Sequence, residues 1–187
     1  MELLIVLVVV AIIVVVLVMI YNGLVRARLR VDEAWAQIDV QLKRRYDLIP
    51  NLVNAVKGYM GFEQKVLTDV TNARAAAVAA GAQGPAAQAN AENFLTASLR
   101  SLFAVVENYP ELKANQNVLE LQESLETTEN QISFSRQHYN ATVLEYNTSI
   151  QTVPNVIIAG PLGFTKREFF EAGEEAEQVP TVDLSTS

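Results

Sequence analysis

Residues Leu3 to Ile20 read LLIVLVVVAIIVVVLVMI, an unbroken apolar run of 18 residues. An α-helix rises about 1.5 Å per residue, so the run reaches roughly 27 Å, close to the roughly 30 Å of a bilayer's hydrocarbon core. A helix also satisfies its backbone hydrogen bonds internally, as a lipid environment requires. The run therefore predicts a membrane anchor over residues 1–21. Five residues mark this predicted span: Leu3, Leu7, Ala11, Val15 and Ile20.

Two other interpretations of the run are less well supported. A cleaved signal peptide carries basic residues before a shorter apolar stretch, and small residues at its cleavage site. Here only Met1 and Glu2 precede the run, and no A-x-A pattern follows it. A core helix that is apolar on all sides needs a large protein around it, which 187 residues do not provide. We therefore expect an uncleaved anchor.

Charge near the run predicts its orientation. Arg26, Arg28 and Arg30 follow the run, and no Lys or Arg precedes it. The positive-inside rule then places the N-terminus outside and the large C-terminal part in the cytoplasm. Residues 21–60 carry a net charge of +3, and the three arginines are expected to contact anionic lipid headgroups. Residues 61–160 carry −5, which argues against nucleic acid as a partner.

Beyond the span, apolar residues recur every three or four positions from Val31 onward, which is typical of a helix with one buried face. No Gly or Pro lies between Leu24 and Ile49, so we expect the membrane helix to continue into this amphipathic one. Pro50 predicts a kink, because it removes one backbone hydrogen bond. Gly58 to Gly61 is the expected end of the helix.

The same periodicity predicts three more helices. The second is expected over residues 62–80, with Phe62 on its buried face. The third is expected from Pro85 to about Glu107, with Phe94 among its inward-facing residues.

The fourth helix is expected to be the longest in the part outside the membrane. Asn117, with Glu120 three residues later, resembles a capping box at its start, and Pro154 ends it. Between them, apolar and aromatic residues keep a heptad-like spacing over about 35 residues.

These elements define an all-α fold class: an N-terminal transmembrane helix that continues into an antiparallel four-helix bundle with two long and two short helices, plus a short C-terminal helical segment. The bundle is assigned to residues 22–153. Residues 154–178 form an apolar and aromatic segment beside the membrane or the bundle base, with a short helix expected over Lys166 to Ala176. Residues 179–187 are expected to be a flexible tail.

Unequal helix lengths predict an interface. The two short helices can cover only part of the long pair, and large exposed apolar patches usually mark contact surfaces. We expect the segment after Pro154 and a neighbouring subunit to cover the rest. Two environments are equally consistent with the apolar residues of that segment, lipid headgroups or the bundle's own base; these residues are Ile157, Ile158, Leu162 and Phe164. The residues expected in self-association are Val31, Trp35, Ile38, Tyr139, Tyr146, Phe164, Phe169 and Phe170.

Five motifs together resemble one family. They are WAQIDVQLKRRYDLIPNLV at 35–53, VTNAR at 70–74, ENYPELKAN at 107–115, RQHYN at 136–140 and GFTKREFF at 163–170. In this order, and with the N-terminal span, they resemble the bacterial LemA family over nearly the whole chain to Phe170. The resemblance implies a single-pass inner-membrane protein with an antiparallel helical bundle and no established enzymatic activity. It also implies a link to membrane organisation or compartment formation, in which some relatives are implicated.

The residues carry little catalytic chemistry. There is no cysteine, and His138 is the one histidine, expected to face sideways from the fourth helix. Glu120, Glu123 and Glu126 form a stripe that is typical of a solvated helix face. We therefore expect no catalytic residue, no metal site and no cofactor.

Polar residues near the apolar seams allow two interpretations. They are Arg45, Asn51, Asn54, Arg74, Glu129, Arg136, Asn140 and Asn147. A polar layer that sets helix register is favoured over a site for a headgroup or a partner.

Two functions are consistent with the sequence. The first is a non-enzymatic membrane protein that self-associates through its bundle and organises the membrane or partner proteins. The second is a lipid-binding or accessory module that acts through the basic collar at Arg26, Arg28 and Arg30. The expected partners are the lipid bilayer, further copies of the chain and other membrane proteins.

Overall fold

The computed structural model describes residues 1–59 and 63–171. Within those ranges it contains helices and irregular segments, and no strand. The helices are α1 (Glu2–Lys57), α2 (Gln64–Ala80), α3 (Pro85–Val106), α4 (Pro110–Lys113), α5 (Gln116–Ser149) and α6 (Val156–Ala159). The all-α prediction is confirmed, with two long helices and two of intermediate length.

Helix α1 is continuous over 56 residues and includes Pro50 in its interior. The predicted continuation of the apolar run into an amphipathic helix is therefore confirmed. Among the described residues, α1 is the one helix long and apolar enough to cross a bilayer, and none of its most apolar 18-residue window is buried. Beyond the run the helix has one buried face, which begins at Leu24 and includes Val31 and Ile38.

The chain divides into two compact units, to which α1 and α5 both contribute. The first unit comprises Met1–Arg45 and Glu126–Phe169. The second comprises the described parts of Tyr46–Leu125, with Phe170 and Glu171. Helices α2, α3 and α4 belong wholly to the second unit.

In the first unit, α1 and α5 run antiparallel. Arg30 pairs with Glu145 at 2.6 Å, and Arg45 pairs with Glu129 at 2.9 Å. As the residue number rises along α1, it falls along α5, which is the pattern of antiparallel neighbours.

Residues 164–169, which we call the strap, lie against both helices of the first unit. The Tyr146 hydroxyl donates to the carbonyl oxygen of Thr165 at 3.0 Å, and the Tyr139 hydroxyl donates to that of Glu168 at 2.9 Å. The Arg167 guanidinium pairs with Asp32 of α1 at 2.8 Å. The strap thus runs antiparallel to α5 and parallel to α1.

The predicted helix from Lys166 to Ala176 is wrong over residues 166–171, which are not helical. The physical reason is competition for hydrogen bonds, because side chains of α5 bind the backbone groups that a helix would use. The remaining residues of that prediction, and the predicted tail at 179–187, lie outside the described residues.

The second unit has its own apolar core, built from α1, α2, α3, α4 and the start of α5. Its most deeply buried members include Leu52, Val70, Leu95, Leu102 and Leu112, whose side chains are fully buried. Helix α2 begins at Gln64, so the predicted inward Phe62 lies outside the described residues, as does Gly61 at the expected end of α1.

Two local predictions for this unit are corrected. Phe94 is 60% exposed instead of inward, because the buried stripe of α3 follows Gln88, Glu92, Leu95 and Leu99. The helix cap is Asn115 instead of Asn117, since its Oδ1 accepts the backbone N–H groups of Asn117 at 3.0 Å and Val118 at 3.4 Å.

Candidate functional site

The apolar run at the start of α1 leaves its side chains uncovered. Leu3, Leu7, Ala11 and Val15 are exposed, and Ile20 is half-buried, shortly before the buried face of α1 begins at Leu24. A fully apolar helix surface in water is very unfavourable, at about 25 cal/mol per Å² of apolar area. The exposed run fits a helix whose surroundings are lipid.

The three arginines predicted to contact headgroups have different surroundings. Arg26 is exposed and donates from Nε to the carbonyl oxygen of Asn22 at 3.3 Å, a contact within its own helix. Arg30 pairs with Glu145 on α5. The guanidinium carbon of Arg28 lies 5.4 Å from the centroid of the Phe164 ring, the geometry of a cation–π contact. Each of the three arginines therefore has a different contact in the structure.

The residues predicted for self-association occupy the interior of the chain. Six are buried: Val31, Ile38, Tyr139, Tyr146, Phe164 and Phe170. Trp35 and Phe169 are half-buried, and the Trp35 ring centroid lies 5.4 Å from that of Tyr139. The predicted fold-back of the segment after Pro154 agrees with contacts to Tyr139 and Tyr146, and a role of these residues in self-association stays a prediction.

Within the first unit, the strap contacts Tyr139 and Tyr146 of this set. Phe164 packs edge-on against Tyr21 of α1, with ring centroids 5.9 Å apart. The chain itself thus covers apolar surface that we assigned in part to a neighbouring subunit.

Asn147 fixes the strap most tightly. Its Nδ2 donates to the carbonyl oxygen of Arg167 at 2.9 Å, and its Oδ1 accepts the backbone N–H of Arg167 at 2.8 Å. The side chain is nearly buried, at 8% exposed. Asn147 belongs to the polar residues noted near the seam, but no sequence signal pointed to Arg167 as its partner.

Burial and charge act on the two tyrosines that hold the strap. Burial raises the pKa of the Tyr139 hydroxyl above its ordinary value of 10.0, while the positive charge of Arg167 opposes that change. Burial likewise raises the pKa of Tyr146, against the opposing charges of Arg167 and Arg28. Both hydroxyls therefore stay protonated, as donors, through neutral pH.

Charged and polar side chains are buried in both units. In the first, Arg45 is 2% exposed and pairs with Glu129, as a register-setting polar layer would require. In the second, the Tyr46 hydroxyl donates to Glu92, and Gln88 Nε2 lies 2.8 Å from the Tyr46 oxygen and 2.9 Å from Glu92 Oε1. Burial of these groups is consistent with a structural role.

The side chain of Arg74 contacts the backbone of Tyr46. Arg74 Nε donates to the Tyr46 carbonyl oxygen at 2.7 Å, which links α2 to α1 across 28 positions of sequence. Asn51 and Asn54, also noted as candidates, are exposed. Polar contacts of the predicted set thus include those of Arg45, Arg74, Glu129 and Asn147.

Within residues 1–59 and 63–171, no group of three His, Asp or Glu side chains is arranged to hold a metal ion. His138 is exposed on α5. The described geometry offers apolar surface and backbone-clamping polar groups, which are means of binding and assembly.

Fold and surface together define a class: a helical-bundle protein with an exposed apolar N-terminal helix that fits a membrane protein. Residues 34–184 match the model of the LemA family, well over half of the chain. The chain belongs to the LemA family.

Curated relatives extend this comparison. The chain is 27% identical over 178 residues to "Magnetosome protein MamQ 2" of Paramagnetospirillum magneticum, and the aligned region covers 82% of this chain and 65% of that protein. It is 24% identical over 168 residues to "Protein LemA" of Metamycoplasma hominis, which covers 89% of this chain and 74% of the relative. The match thus spans just under two thirds of the MamQ protein. Neither name denotes an enzyme.

Proposed function

We propose that the chain is a single-pass protein of the bacterial inner membrane that acts without catalysis, self-associates through its helical bundle and organises the membrane or partner proteins around it. The observation that carries self-association is the apolar surface left exposed on the first unit. Phe134 on α5 is 74% exposed, and Val40 on α1 is 60% exposed. Exposed aromatic side chains are enriched in protein interfaces.

Phe134 lines a shallow groove of about 450 Å³ in the first unit, together with Gln41 of α1 and Gln131 of α5. Phe134 is thus an exposed aromatic side chain among uncharged polar neighbours, and aromatic residues are enriched in protein interfaces. We assign this surface to a second copy of the chain, in place of the buried residues predicted first.

The membrane-organising role draws support from the comparisons. Two similar chains are named magnetosome proteins, and the family match covers most of the bundle. A continuous α1 also joins the apolar run to the bundle without a break in the helix. Self-association of such anchored bundles would bring their membrane helices together.

The test is the oligomeric state of the full-length protein in detergent micelles, measured by sedimentation with correction for bound detergent. We expect Phe134→Gln combined with Val40→Gln to shift the wild-type assembly toward the 20.6 kDa protomer. Phe94→Gln is the matched control, because Phe94 is similarly exposed at 60% but lies on α3 of the second unit. A wild-type protein that is already a single protomer at all concentrations would refute self-association.

Orientation is tested separately. Because the chain lacks cysteine, Leu144→Cys introduces a unique thiol at an exposed position of the first unit. Basic residues after the run favour a cytoplasmic bundle, so a membrane-impermeant maleimide should label this thiol only after cells are opened. Labelling in intact cells would reverse the proposed topology.

A second candidate function is lipid binding by the basic collar, favoured by the exposure of Arg26. If it holds, Arg26→Gln with Arg28→Gln should reduce the anionic lipid that co-purifies with the protein, as measured by native mass spectrometry. Lys65→Gln, an exposed cation of α2, is the control. Equal lipid retention in both variants would remove this candidate.

A further inference from the structure

A second apolar surface lies beside the membrane helix. Helix α6 and the turn after it, residues 160–163, leave large apolar side chains uncovered: Ile157 is 69% exposed and Leu162 is 49% exposed. No charged residue stands between Glu145 and Lys166. An uncharged, apolar turn of this kind marks a contact surface when it is continuous with another apolar surface.

That continuity is present in the first unit. A groove of about 410 Å³ is lined by Leu17, Val18 and Tyr21 of α1 on one side, and by Ile157, Ile158 and Leu162 on the other. Leu17 and Val18 belong to the apolar run, so one wall of the groove is part of the proposed membrane span. From Tyr21 to Leu17 the helix advances about 6 Å, and the groove therefore extends into the hydrocarbon region.

The backbone of the turn suits that depth. Non-helical backbone at membrane depth requires internal hydrogen bonds, because no water is there to supply them. The N–H of Ala159 donates to Asn155 at 2.8 Å, that of Leu162 to Ile158 at 3.1 Å, and that of Phe164 to Ala159 at 2.9 Å. The turn thus presents side chains outward while its amides are used internally.

Aromatic and cationic residues border the groove where an interface would lie. Tyr21 follows the run directly and contacts Phe164, over which Arg28 is stacked. Tyrosine is enriched at the level of lipid headgroups, and a nearby cation suits their phosphates. The order along α1, apolar residues then Tyr21 then Arg28, matches the order hydrocarbon, interface and headgroup.

We propose that α6 and its turn enter the same leaflet as the end of the span, and that the groove takes a lipid acyl chain from that leaflet. The inference rests on the proposed membrane span, and adds a second point of membrane contact to it. The bilayer is the chosen occupant because three of the seven residues that line the groove, Leu17, Val18 and Tyr21, belong to the predicted anchor.

Depth is tested with single-cysteine variants of the full-length protein in lipid nanodiscs, each carrying a nitroxide. Ile157→Cys and Leu162→Cys report on the turn, Val15→Cys on the span, and Leu144→Cys on an exposed position of α5. Power saturation compares collision with oxygen, which concentrates in hydrocarbon, and with nickel–EDDA, which stays in water. We expect the turn labels to shift toward the oxygen-rich behaviour of the Val15 label.

The controls separate the groove proposal from the proposed membrane span. Turn labels that behave like the Leu144 label, beside an oxygen-rich Val15 label, would overturn the groove proposal and leave the span intact. A Val15 label accessible to nickel–EDDA would overturn both. Unchanged helicity of each variant by circular dichroism shows that the substitutions left the fold in place.

Occupancy by an acyl chain is tested with a bimane fluorophore on Ile158→Cys, at the groove wall. Lipids with a nitroxide on the upper acyl chain should quench this fluorophore more strongly than lipids with a nitroxide on the headgroup. The opposite order would show that the groove lies outside the hydrocarbon and would overturn the proposal.

Discussion

Asn147 pairs with the backbone of Arg167 through both ends of its amide, with Nδ2 at 2.9 Å from the carbonyl oxygen and Oδ1 at 2.8 Å from the nitrogen. This two-point contact resembles the pairing of neighbouring strands, but it joins a helix side chain to the strap. It explains how residues 164–169 keep a non-helical conformation against α1 and α5. The strap in turn covers aromatic residues of the first unit.

Asn147→Ala should therefore loosen the strap. The substitution leaves two backbone groups of Arg167 without their partner, at a cost of about 1–3 kcal/mol. We expect faster trypsin cleavage after Lys166 and Arg167, and a lower unfolding midpoint by the fluorescence of Trp35, the one tryptophan. Asn130→Ala, an exposed position of α5, is the control; equal cleavage of both variants would contradict the assigned role.

Alkaline pH should destabilise the first unit. The pKa values of Tyr139 and Tyr146 are raised in the folded state, so the unfolded chain loses these protons first. The stability they contribute is complete below about pH 10 and is lost as pH rises through the raised values. Denaturant unfolding followed by Trp35 fluorescence across this range measures the loss.

Tyr146→Phe removes one of these groups. At neutral pH the variant should be less stable by about 1 kcal/mol, because the Thr165 carbonyl loses its donor. Above pH 10 its further loss of stability should be smaller than that of the wild type. Tyr59→Phe, at an exposed tyrosine, should lose stability with rising pH as steeply as the wild type does. The hydrogen bond to Asp39 raises the pKa of Lys43, and this effect is the same in all three proteins.

Ion pairs of the first unit should contribute differently to the free energy of unfolding, according to how deeply they are buried. Glu129→Ala leaves the guanidinium of Arg45, 2% exposed, without this carboxylate, and we expect a loss of about 3 kcal/mol. Asp39→Ala removes the partner of Lys43 in an exposed pair, where losses of about 0–1 kcal/mol are usual. Urea unfolding of both variants compares them; similar losses would show that Glu129 does not compensate the buried charge.

Truncation of two neighbouring residues of α3 should change the stability of the protein by very different amounts. Leu95 is fully buried in the second unit, so Leu95→Ala should cost about 2–5 kcal/mol through lost contacts and a cavity. Phe94 is exposed, and Phe94→Ala should change stability by no more than about 0.5 kcal/mol. Thermal unfolding followed by circular dichroism measures both. A larger loss for Phe94→Ala would favour the inward orientation predicted from sequence.

Helix periodicity predicted much of the fold correctly. The buried faces of α1 and α5, the start of α3 at Pro85 and the end of α1 near Gly58 follow from spacing and from local turn residues. Phe94 shows where this reasoning fails. Hydrophobicity favoured an inward phenylalanine, whereas the buried stripe of α3 runs through Leu95 and Leu99 and includes the polar Gln88 and Glu92, which contact Tyr46.

The aromatic residues of the first unit show the same limit. Tyr139 and Tyr146 were correctly placed on the apolar seam, and cover by the segment after Pro154 was expected, but the non-helical conformation of that segment was not. Their cover comes from a segment whose own composition favoured a helix. Its conformation depends on hydrogen bonds between residues 19 to 29 positions apart, which no local pattern reports.

An apolar run of 18 residues and a three-to-four spacing are sufficient to predict an exposed N-terminal helix and a helical bundle, because both depend on neighbours within two turns of one helix. The strap, the buried Arg45–Glu129 pair and the groove beside Leu17 became visible only in three dimensions. They join residues far apart in the chain, and the free energy of such contacts depends on which surfaces the rest of the fold has already brought together.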